Sequence, residues 1–465
     1  MRLTVIGCGH LGATHAACMA EIGHEVLGVD TDPDKVALLN EGRAWFAEPG
    51  LDEMLTRHTR AGTLRFTTSF TEAGAFAAVH FLGVGTPASA EGDYDLSQVF
   101  GAVRALAPHL QDGSLIIGKS TVPPGTTRRL AAELAELAEL AERTGQPGQA
   151  GQARHPGQPR AEVAWNPEFL RESRAVEDTL RPDRIVAGVP GPAAEATVRE
   201  VYRPLTDAGV PLIVTDPPTA ELTKGAANAF LAMKISFINA MADICSGTGA
   251  DVATLADALG MDPRIGRAFL VAGIGYGGGC LPKDVRGLGS FARSAGADSA
   301  AGLLSVIEGI NASRRDRVTD LLQALLGTLD GKRIALWGAA FKPGTDDVRD
   351  SPALEVADRL YRRGADVIVY DPQATPNALV EFPHLRYADT AAESAERADA
   401  VLAATAWPEF AEISPFGLRP RGQLLVDACQ AINPGPWRAA GWTVTAPFPS
   451  PNHDHAERIV AAPHG

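Results

Sequence analysis

The first thirty residues restrict the fold of this chain more than any other stretch. A β-branched run, Arg2–Ile6, leads into the pattern Gly7-Cys-Gly9-His-Leu-Gly12, a helical stretch, and a second strand that ends before Asp30. Glycines at this spacing allow a tight turn and let a pyrophosphate approach the helix N-terminus. Asp30 follows the third glycine by 18 residues and can accept a hydrogen bond from a ribose 2′-hydroxyl. The pattern predicts a Rossmann-type domain, and an acid at position 30 favours NAD over NADP.

Two further strands of this half end in small and hydroxyl residues. Val79–Val84 leads into Gly85-Thr86-Pro87, and Ser114–Gly118 leads into Lys119-Ser120-Thr121. Ligands of open α/β sheets bind at the carboxyl ends of the strands. Thr86 and Thr121 are therefore candidate cofactor contacts, although ordinary turn residues would give the same pattern.

Length and composition exclude several classes of protein. A chain of 465 residues exceeds the usual size of one core and indicates two or three domains. A net charge of -14 argues against a general nucleic-acid partner. The five cysteines lie far apart without Cys/His ligand spacing, which indicates reduced thiols and no metal site. No apolar run approaches membrane-spanning length, so we expect a cytoplasmic protein without membrane contact.

A glycine-rich segment with one cysteine is a candidate catalytic loop. Five glycines between Gly273 and Gly279 precede Cys280, and Lys283 and Asp284 follow it. Glycines let the backbone lie close to a ligand, a nearby cation favours the thiolate, and a carboxylate can order water. The alternative is a glycine-rich loop that holds a buried structural cysteine.

Two other segments place polar side chains at helical spacing. Glu168 and Glu172 follow a strand and would share one face of a helical turn, a useful arrangement for acid/base work. Lys224 and Asn228 are four residues apart in a long helix predicted from Asp216 onward. A solvated glutamate face and a lysine that reaches solvent from a buried helix are the structural alternatives.

The C-terminal third repeats the α/β pattern. Strands are predicted at Arg333–Trp337, Asp366–Asp371 and Ala400–Thr405, beyond a charged helical stretch. A second sheet of this kind indicates a second nucleotide-like ligand. The fold class is therefore α/β, with two Rossmann-like domains joined by a central helical domain that contains a long helix.

We place the domain boundaries by these patterns. The NAD-binding domain covers 1–214, the central helical domain 215–312, and the C-terminal Rossmann-like domain 313–465. Residues 131–160 combine an Ala-Glu-Leu repeat with a run rich in Gly, Gln and Pro. We interpret them as an insertion without chemistry that first lengthens a surface helix and then lacks the apolar residues needed for order.

The ordered set of motifs resembles one enzyme family. The motifs are Gly7–Gly12, Gly85–Pro87 with Asp95–Ser97, Ser120–Pro123, Asn166–Leu170, Lys224 with Asn228, the Cys280 loop, and Phe341–Arg349. The chain is similar to the UDP-glucose/GDP-mannose dehydrogenases over nearly its whole length outside 131–160, and most similar to the UDP-glucose type. The resemblance implies oxidation of a sugar C6 alcohol to the carboxylate with two NAD, through a thiohemiacetal and a thioester. The expected conversion is UDP-glucose to UDP-glucuronate.

The resemblance also implies a role for each candidate residue. Cys280 is the nucleophile, and Lys224 stabilises the oxyanion. Asn228 and Asp284 order a water molecule, Glu168 is the base for thioester hydrolysis, and Thr121 belongs to the same catalytic set. The residues implied for NAD are Gly7, Gly9, Gly12, Asp30, Lys35, Thr86, Thr121, Glu172, Lys283 and Arg349. The residues implied for the sugar nucleotide are Glu168, Phe169, Leu170, Arg171, Lys224, Asn228, Arg264, Gly273, Gly275, Tyr276, Gly277, Phe341 and Lys342.

The implied position of Arg264 requires a second copy of the chain, because this arginine would reach the substrate from a partner subunit. A homodimer or a higher homo-oligomer is therefore expected, built on the central helix. Neither a nucleic acid nor a membrane is an expected partner.

Some residues depart from the family pattern. Asp427-Ala-Cys-Gln430 lacks an expected arginine, Gly225 replaces a tyrosine, and the last strand ends in Pro447, Pro449 and Pro451. The sequence Leu281–Arg286 also resembles the GDP-mannose enzymes, whereas Arg264-Ile-Gly266 favours the UDP-glucose type. A GDP-mannose or another UDP-hexose dehydrogenase stays open as an alternative. A β-hydroxyacid dehydrogenase and a non-catalytic nucleotide-sugar binder agree with fewer of the motifs.

Overall fold

The computed structural model describes residues 1–89, 92–143 and 161–447. The chain divides into two compact units, 1–227 and 228–465. Residues 144–160, which hold the Gly/Gln/Pro-rich part of the predicted insertion, lie outside the described residues, as do Pro449 and Pro451. The three-domain boundaries stay a prediction.

The first unit is built on an eight-stranded sheet. Its strands are β1 (Arg2–Ile6), β2 (Glu25–Val29), β3 (Leu64–Thr67), β4 (Val79–Leu82), β5 (Ser114–Gly118), β6 (Ala161–Trp165), β7 (Ile185–Gly188) and β8 (Leu212–Thr215). The strand order is β3-β2-β1-β4-β5-β6-β7-β8, and all pairs are parallel except β6 with β7. The order of the first six strands is that of a Rossmann fold.

Helices cover this sheet. They are α1 (His10–Glu21), α2 (Pro33–Asn40), α3 (Leu51–Ala61), α4 (Phe70–Phe76), α5 (Ser97–Leu106), α6 (Thr126–Arg143), α7 (Ala175–Leu180) and α8 (Pro192–Asp207). Phe81 and Ile117 pack in the core on one face, and Leu82 and Ile116 pack in the core on the other. Strands buried on both faces read as continuous apolar runs, as observed here.

The Ala-Glu-Leu repeat belongs to α6, which confirms its predicted helix. Leu130 and Leu134 are buried one turn apart, Leu137 packs on the same core, and Leu140 is exposed. The first two turns of the repeat therefore cover the sheet, and burial ends before the described part of the helix does.

A 32-residue helix, α9 (Pro217–Thr248), follows the first sheet and continues into the second unit. Asp216 accepts a hydrogen bond from the backbone of Thr219 at 2.9 Å, so it caps this helix as predicted. Among the described residues, α9 is the one helix long and apolar enough to cross a membrane, with 39% of its most apolar window buried. The expectation that no run approaches this length is therefore wrong, although core helices of other proteins have the same character.

The second unit adds a six-stranded parallel sheet. After α10 (Val252–Gly260), α11 (Leu281–Ser294) and α12 (Asp298–Leu326), its strands are β9 (Arg333–Trp337), β10 (Asp366–Tyr370), β11 (Arg386–Tyr387), β12 (Ala400–Ala403), β13 (Leu424–Asp427) and β14 (Thr443–Thr445). The order β11-β10-β9-β12-β13-β14 repeats that of the first six strands of the first sheet. The helices between them are α13 (Pro352–Arg362), α14 (Thr375–Glu381), α15 (Ala391–Ser394), α16 (Pro408–Glu412) and α17 (Pro434–Ala439). The predicted fold class is confirmed.

One local prediction is wrong. Glu168 and Glu172 do not share a helical face, because residues 166–171 form an irregular loop and residues 172–173 a turn. Proline at position 167 is compatible with a helix start, but the Asn166 side chain is held by the carbonyl of Val186 in β7 and the chain continues from there as a loop.

Candidate active site

The turn between β1 and α1 can accept a pyrophosphate. Gly7 has a φ of +86°, and a Cβ on Gly12 would lie 1.7 Å from the carbonyl oxygen of Gly7. A Cβ on Gly9 would meet nothing within 4 Å, so the backbone there is open to a ligand. Two glycines are therefore required by the turn itself, and the third leaves space at the helix N-terminus. These residues fit a dinucleotide.

Asp30 is tied to this turn. Its carboxylate accepts hydrogen bonds from the backbone of Cys8 at 2.8 Å and of Asp32 at 3.0 Å, and the residue remains partly exposed. Lys35 lies on α2, with Nζ 3.7 Å from Asp32 and 5.0 Å from the centroid of the Trp45 ring. Asp30 therefore keeps an accessible edge at the position where a ribose would bind.

The equivalent acid of the second sheet differs. Asp371 follows β10 and is buried, and its carboxylate accepts hydrogen bonds from the backbone of Ala339 and Ala340 and from the indole of Trp407 at 2.7–3.0 Å. The Asp371 carboxylate is therefore already bonded to protein donors, whereas Asp30 remains partly exposed. The two sheets share a topology but not a ribose-binding acid.

Thr86 and Thr121 connect two strand ends. The Thr86 hydroxyl donates to the carbonyl of Thr121 at 2.8 Å, and Thr86 is buried. The two residues follow β4 and β5, which are neighbours in the sheet. The structure thus brings both predicted cofactor contacts together at the carboxyl edge of the first sheet.

A buried ion pair lies next to this edge. Glu168 Oε1 is 2.9 Å from Lys224 Nζ, and both side chains are largely buried. Glu168 Oε2 accepts a hydrogen bond from the backbone of Leu170 at 2.6 Å, which fixes the carboxylate in the loop. The ring of Phe169 lies 4.0 Å from the Arg184 guanidinium. A base and a cation are therefore held together in one place.

Two predicted residues that follow Glu168 in the chain, Arg171 and Glu172, do not join this ion pair. Arg171 makes a bidentate salt bridge to Asp178 and lies at the edge of a cavity of about 310 Å³ with Phe169 and Leu170. Glu172 lies in the turn that follows. The Glu168–Arg171 segment thus lines one cavity, while Arg171 is held by an acid of its own unit.

The second unit places Cys280 at a helix N-terminus, which the sequence interpretation missed. Cys280 is exposed and immediately precedes α11. The positive end of the helix dipole favours a thiolate, in addition to the nearby Lys283. The signal was Pro282 at the second helical position, where proline is common.

Asp284 contacts two other predicted site residues, Asn228 and Lys283. It is 1% exposed, its Oδ2 accepts a 2.5 Å hydrogen bond from the Asn228 amide, and its Oδ1 is 2.8 Å from Lys283 Nζ. A buried carboxylate between an amide and an ammonium is polarised and fixed in orientation. Lys224 lies one turn before Asn228 on α9.

The glycines of the Cys280 loop are required by close packing. A Cβ on Gly277 would lie 2.3 Å from the carbonyl oxygen of Asp350, and one on Gly278 would lie 2.8 Å from the ring of Phe341. A Cβ on Gly279 would lie 2.4 Å from the Arg349 guanidinium carbon. The loop that leads to Cys280 is therefore packed against the segment that carries Phe341 and Arg349, two predicted ligand contacts.

A cavity of about 370 Å³ opens at the carboxyl edge of the second sheet. It lies beyond the carboxyl ends of the neighbouring strands β9 and β12, where the strand order reverses and where ligands of open α/β sheets bind. Its lining includes Gly273, Gly275, Phe341, Lys342, Thr405 and Cys429. Tyr276, in contrast, is buried in a core cluster with Ala232 and Val285, so its side chain does not line this cavity.

Arg264 and the Asp427–Gln430 segment each make contacts within the second unit. Arg264 follows α10, has a side chain 87% exposed, and is hydrogen-bonded to Asp262 through both carboxylate oxygens. Cys429 occupies the position of the expected arginine; the next residue, Gln430, has a φ of +57°, and its amide donates to the carbonyl of Ala272 at 3.1 Å. Gln430 therefore anchors the start of the glycine loop.

Comparison with known proteins gives the family. Three domain models of the UDP-glucose/GDP-mannose dehydrogenase family match: the NAD binding domain over residues 1–206, the central domain over 218–313 and the UDP binding domain over 335–434. The chain belongs to the UDP-glucose/GDP-mannose dehydrogenase family. It is an NAD-dependent oxidoreductase of that family, as the sequence motifs predicted.

Individual members of the family resemble it closely. It is 42% identical over 437 residues to a UDP-glucose 6-dehydrogenase of Haloferax volcanii, which covers 93% of this chain and 97% of the relative. It is 39% identical to that of Pseudomonas aeruginosa, with 88% of each covered. A solved UDP-glucose dehydrogenase of Pyrobaculum islandicum is 37% identical with a TM-score of 0.82, over 92% of this chain and 94% of the other.

Proposed function

We propose that this chain is a UDP-glucose 6-dehydrogenase, which oxidises the C6 alcohol of UDP-glucose to the carboxylate of UDP-glucuronate with two NAD. The observation that carries the proposal is the grouping of Cys280 at a helix N-terminus in the same unit as the buried Asn228–Asp284 pair. The similarity to UDP-glucose 6-dehydrogenases along most of the chain supports this substrate. The domain boundaries 1–214, 215–312 and 313–465 form part of the same proposal.

The first oxidation converts the alcohol to an aldehyde. NAD, bound at the Gly7–Gly12 turn with Asp30 on the ribose, supplies the hydride acceptor. Asp284, held by Asn228, orders a water that accepts the hydroxyl proton. Lys224 stabilises the negative charge that develops on the oxygen.

The second oxidation requires sulfur. The Cys280 thiolate adds to the aldehyde carbon and forms a thiohemiacetal, whose carbon then loses a hydride to a second NAD and becomes a thioester. Glu168 takes a proton from water, the hydroxide attacks the thioester carbon, and the C–S bond breaks to release the carboxylate and regenerate the thiol. Fixing Glu168 through Leu170 keeps this base oriented.

The nucleotide of the substrate occupies the 370 Å³ cavity of the second unit. The Gly273 and Gly275 backbones and Lys342 line it, and an ammonium there complements a pyrophosphate. Arg349 and Lys283 complete the cofactor contacts. A second candidate, another UDP-hexose, is favoured by Cys429, because this residue stands where an arginine is expected.

A homodimer is part of the proposal. Phe230, Phe237 and Ile244 recur every seventh residue on α9 and are 46–58% exposed, and Leu303 and Val306 on α12 are also exposed. Such an apolar face indicates a protein interface, and we assign it to a second copy, which would also bring the exposed Arg264 to the partner's substrate. Sedimentation of Phe237→Glu should show monomers, whereas a monomeric parent would refute this assignment.

One measurement tests the activity. The NADH formed per sugar nucleotide is counted at completion for UDP-glucose, UDP-N-acetylmannosamine, UDP-galactose and GDP-mannose. Two NADH per UDP-glucose, with the highest kcat/KM in the panel, is the expected result. One NADH per sugar indicates a simple alcohol dehydrogenase, none indicates a binding protein, and a higher kcat/KM for another sugar identifies a different substrate.

A further inference from the structure

Lys119 is a buried lysine in the first unit that the mechanism above does not use. It directly follows β5 and is 7% exposed. Among the described residues, no carboxylate lies within 4.0 Å of its ammonium. Burial of an ammonium without a direct ion pair costs stability, and such groups concentrate at functional sites.

The ammonium of Lys119 is bound to a single residue. Its Nζ donates to Asn166 Oδ1 at 2.9 Å and lies 3.4 Å from the carbonyl oxygen of Asn166. Tyr202 donates its phenolic hydrogen to the same Oδ1 at 2.5 Å, and Asn166 Nδ2 donates to the carbonyl of Val186 at 2.7 Å. The side chain of Asn166 is therefore fixed from three directions.

Asn166 begins the loop that carries Glu168. Its backbone N–H still pairs with Gly118 of β5 at 2.7 Å, and the loop leaves the sheet immediately afterwards. Glu168 is two residues further on, in its ion pair with Lys224. The position of Lys119 therefore determines where the base begins its path into the site.

The charge of Lys119 also acts on the ion pair. Burial lowers the pKa of Lys119 to about 8, the Glu168 carboxylate opposes that shift, and the Lys224 ammonium adds to it. His15 lines the same cavity, and burial, together with the Lys119 charge, holds its pKa well below the usual value, so it stays neutral. The ionisable groups around the cavity are His15, Lys119, Glu168, Arg171, Arg174, Glu177, Asp178, Arg181, Asp183, Arg184 and Tyr202, and Lys224 pairs with Glu168.

We propose that Lys119 is a positioning residue for thioester hydrolysis. Through Asn166 it places the Glu168 loop, and its ammonium holds a positive charge near the Glu168 carboxylate while Lys224 is engaged with the substrate oxygen. The proposal rests on the proposed function, since it assigns Lys119 to the hydrolytic step alone. It predicts that both hydride transfers proceed when the charge is removed, whereas release of the acid slows.

The test uses three variants of one cluster to separate the effect of the Lys119 charge from the effect of the hydrogen bonds that hold Asn166. Lys119→Met removes the charge in a side chain of similar length, and Tyr202→Phe removes one hydrogen bond to Asn166 but leaves the charge. Single turnovers with UDP-glucose and NAD are followed from pH 5 to 9 by NADH absorbance, acid release and intact-protein mass. A third variant, Lys119→Gln, removes the charge but can still donate to Asn166.

For Lys119→Met and Lys119→Gln, NADH should form within threefold of the parent rate. The covalent thioester should accumulate, and the rate of its hydrolysis at pH 7 should fall about tenfold. The acid limb of the pH–rate profile for hydrolysis should move up by about one pH unit. Tyr202→Phe should leave that limb in place. An unmoved limb in both lysine variants, an equal shift in Tyr202→Phe, or failure of both lysine variants to fold would overturn the proposal. Failure of the proposed function would appear differently, as a parent enzyme that forms no NADH.

Discussion

The amide of Asn228 donates a 2.5 Å hydrogen bond to the carboxylate of Asp284, which is 1% exposed. The two residues are 56 positions apart, on α9 and α11. A buried carboxylate fixed by an amide on one oxygen and by the Lys283 ammonium on the other cannot rotate freely. Fixed orientation is what a group that orders a reacting water requires.

Replacing Asp284 with asparagine tests this relationship. The amide keeps the size of the side chain but loses the negative charge that pairs with the Lys283 ammonium, and it cannot order the same water. The first hydride transfer should slow by about 10²- to 10⁴-fold, the usual contribution of a positioned acid or base. Stopped-flow NADH absorbance measures this step. Asp298→Asn, at the exposed start of α12, is the matched control and should behave like the parent.

The role of Cys280 predicts two different outcomes at one position. Cys280→Ala should bind both ligands but form no covalent species, and conversion to the acid should fall by roughly 10³-fold or more because the nucleophile is lost. Cys280→Ser should stall with slow turnover or a trapped oxygen ester, since a hydroxyl is a poor nucleophile near neutral pH. Intact-protein mass and NADH yield distinguish them.

Cys245→Ala provides the control for loss of a thiol, because Cys245 lies in a core cluster with Ile238 and Ala242. It should retain the parent's NADH yield. Conversion to the acid at the parent rate by Cys280→Ala would make the glycine-rich loop structural and the proposed mechanism wrong.

Much of this architecture could be predicted because the signals are local. The β1–Gly7–Gly12–α1 pattern and the second set of apolar strands give two parallel sheets, since strands buried on both faces have few alternatives. Three predicted strands end one or two residues early, at Leu82, Tyr370 and Ala403. The residues cut off form the loops at the carboxyl edges of the sheets.

The remaining features depend on contacts between distant segments. Glutamates four residues apart predicted a helical face at Glu168, but Asn166 is held by Lys119 and Tyr202, residues 47 and 36 positions away, and the loop results from those bonds. Nothing local to Lys119 indicates that it is buried. The apolar length of α9 likewise was underestimated because polar residues such as Lys224 and Asn228 interrupt it while being buried themselves.

Asp30 is expected to control the choice of cofactor. Asp30→Ala loses the hydrogen bonds to the ribose hydroxyls and the repulsion of a 2′-phosphate, and it also releases the backbone of Cys8. The Kd for NAD should rise by about tenfold or more, and the preference for NAD over NADP should fall. Titration calorimetry with both cofactors measures the change. Asp34→Ala, an exposed acid in the first turn of α2, should leave both affinities unchanged.

The buried ammonium of Lys119 is expected to lower the free energy of unfolding of the protein. Burial lowers the pKa of Lys119 from its ordinary value of 10.5 to about 8, so the folded protein binds this proton less tightly than the unfolded chain does. The resulting penalty is fully present below pH 8 and is relieved as the pH rises from 8 to 10.5. Lys119→Met should therefore be more stable than the parent by about 1 to 3 kcal/mol at pH 7, and the difference should shrink towards pH 10. Urea denaturation at pH 7, 8, 9 and 10 measures the gap. A parent that is more stable than the variant at pH 7 would contradict this prediction. A variant that gains stability while losing thioester hydrolysis would show that the buried ammonium is retained for the reaction and not for the fold.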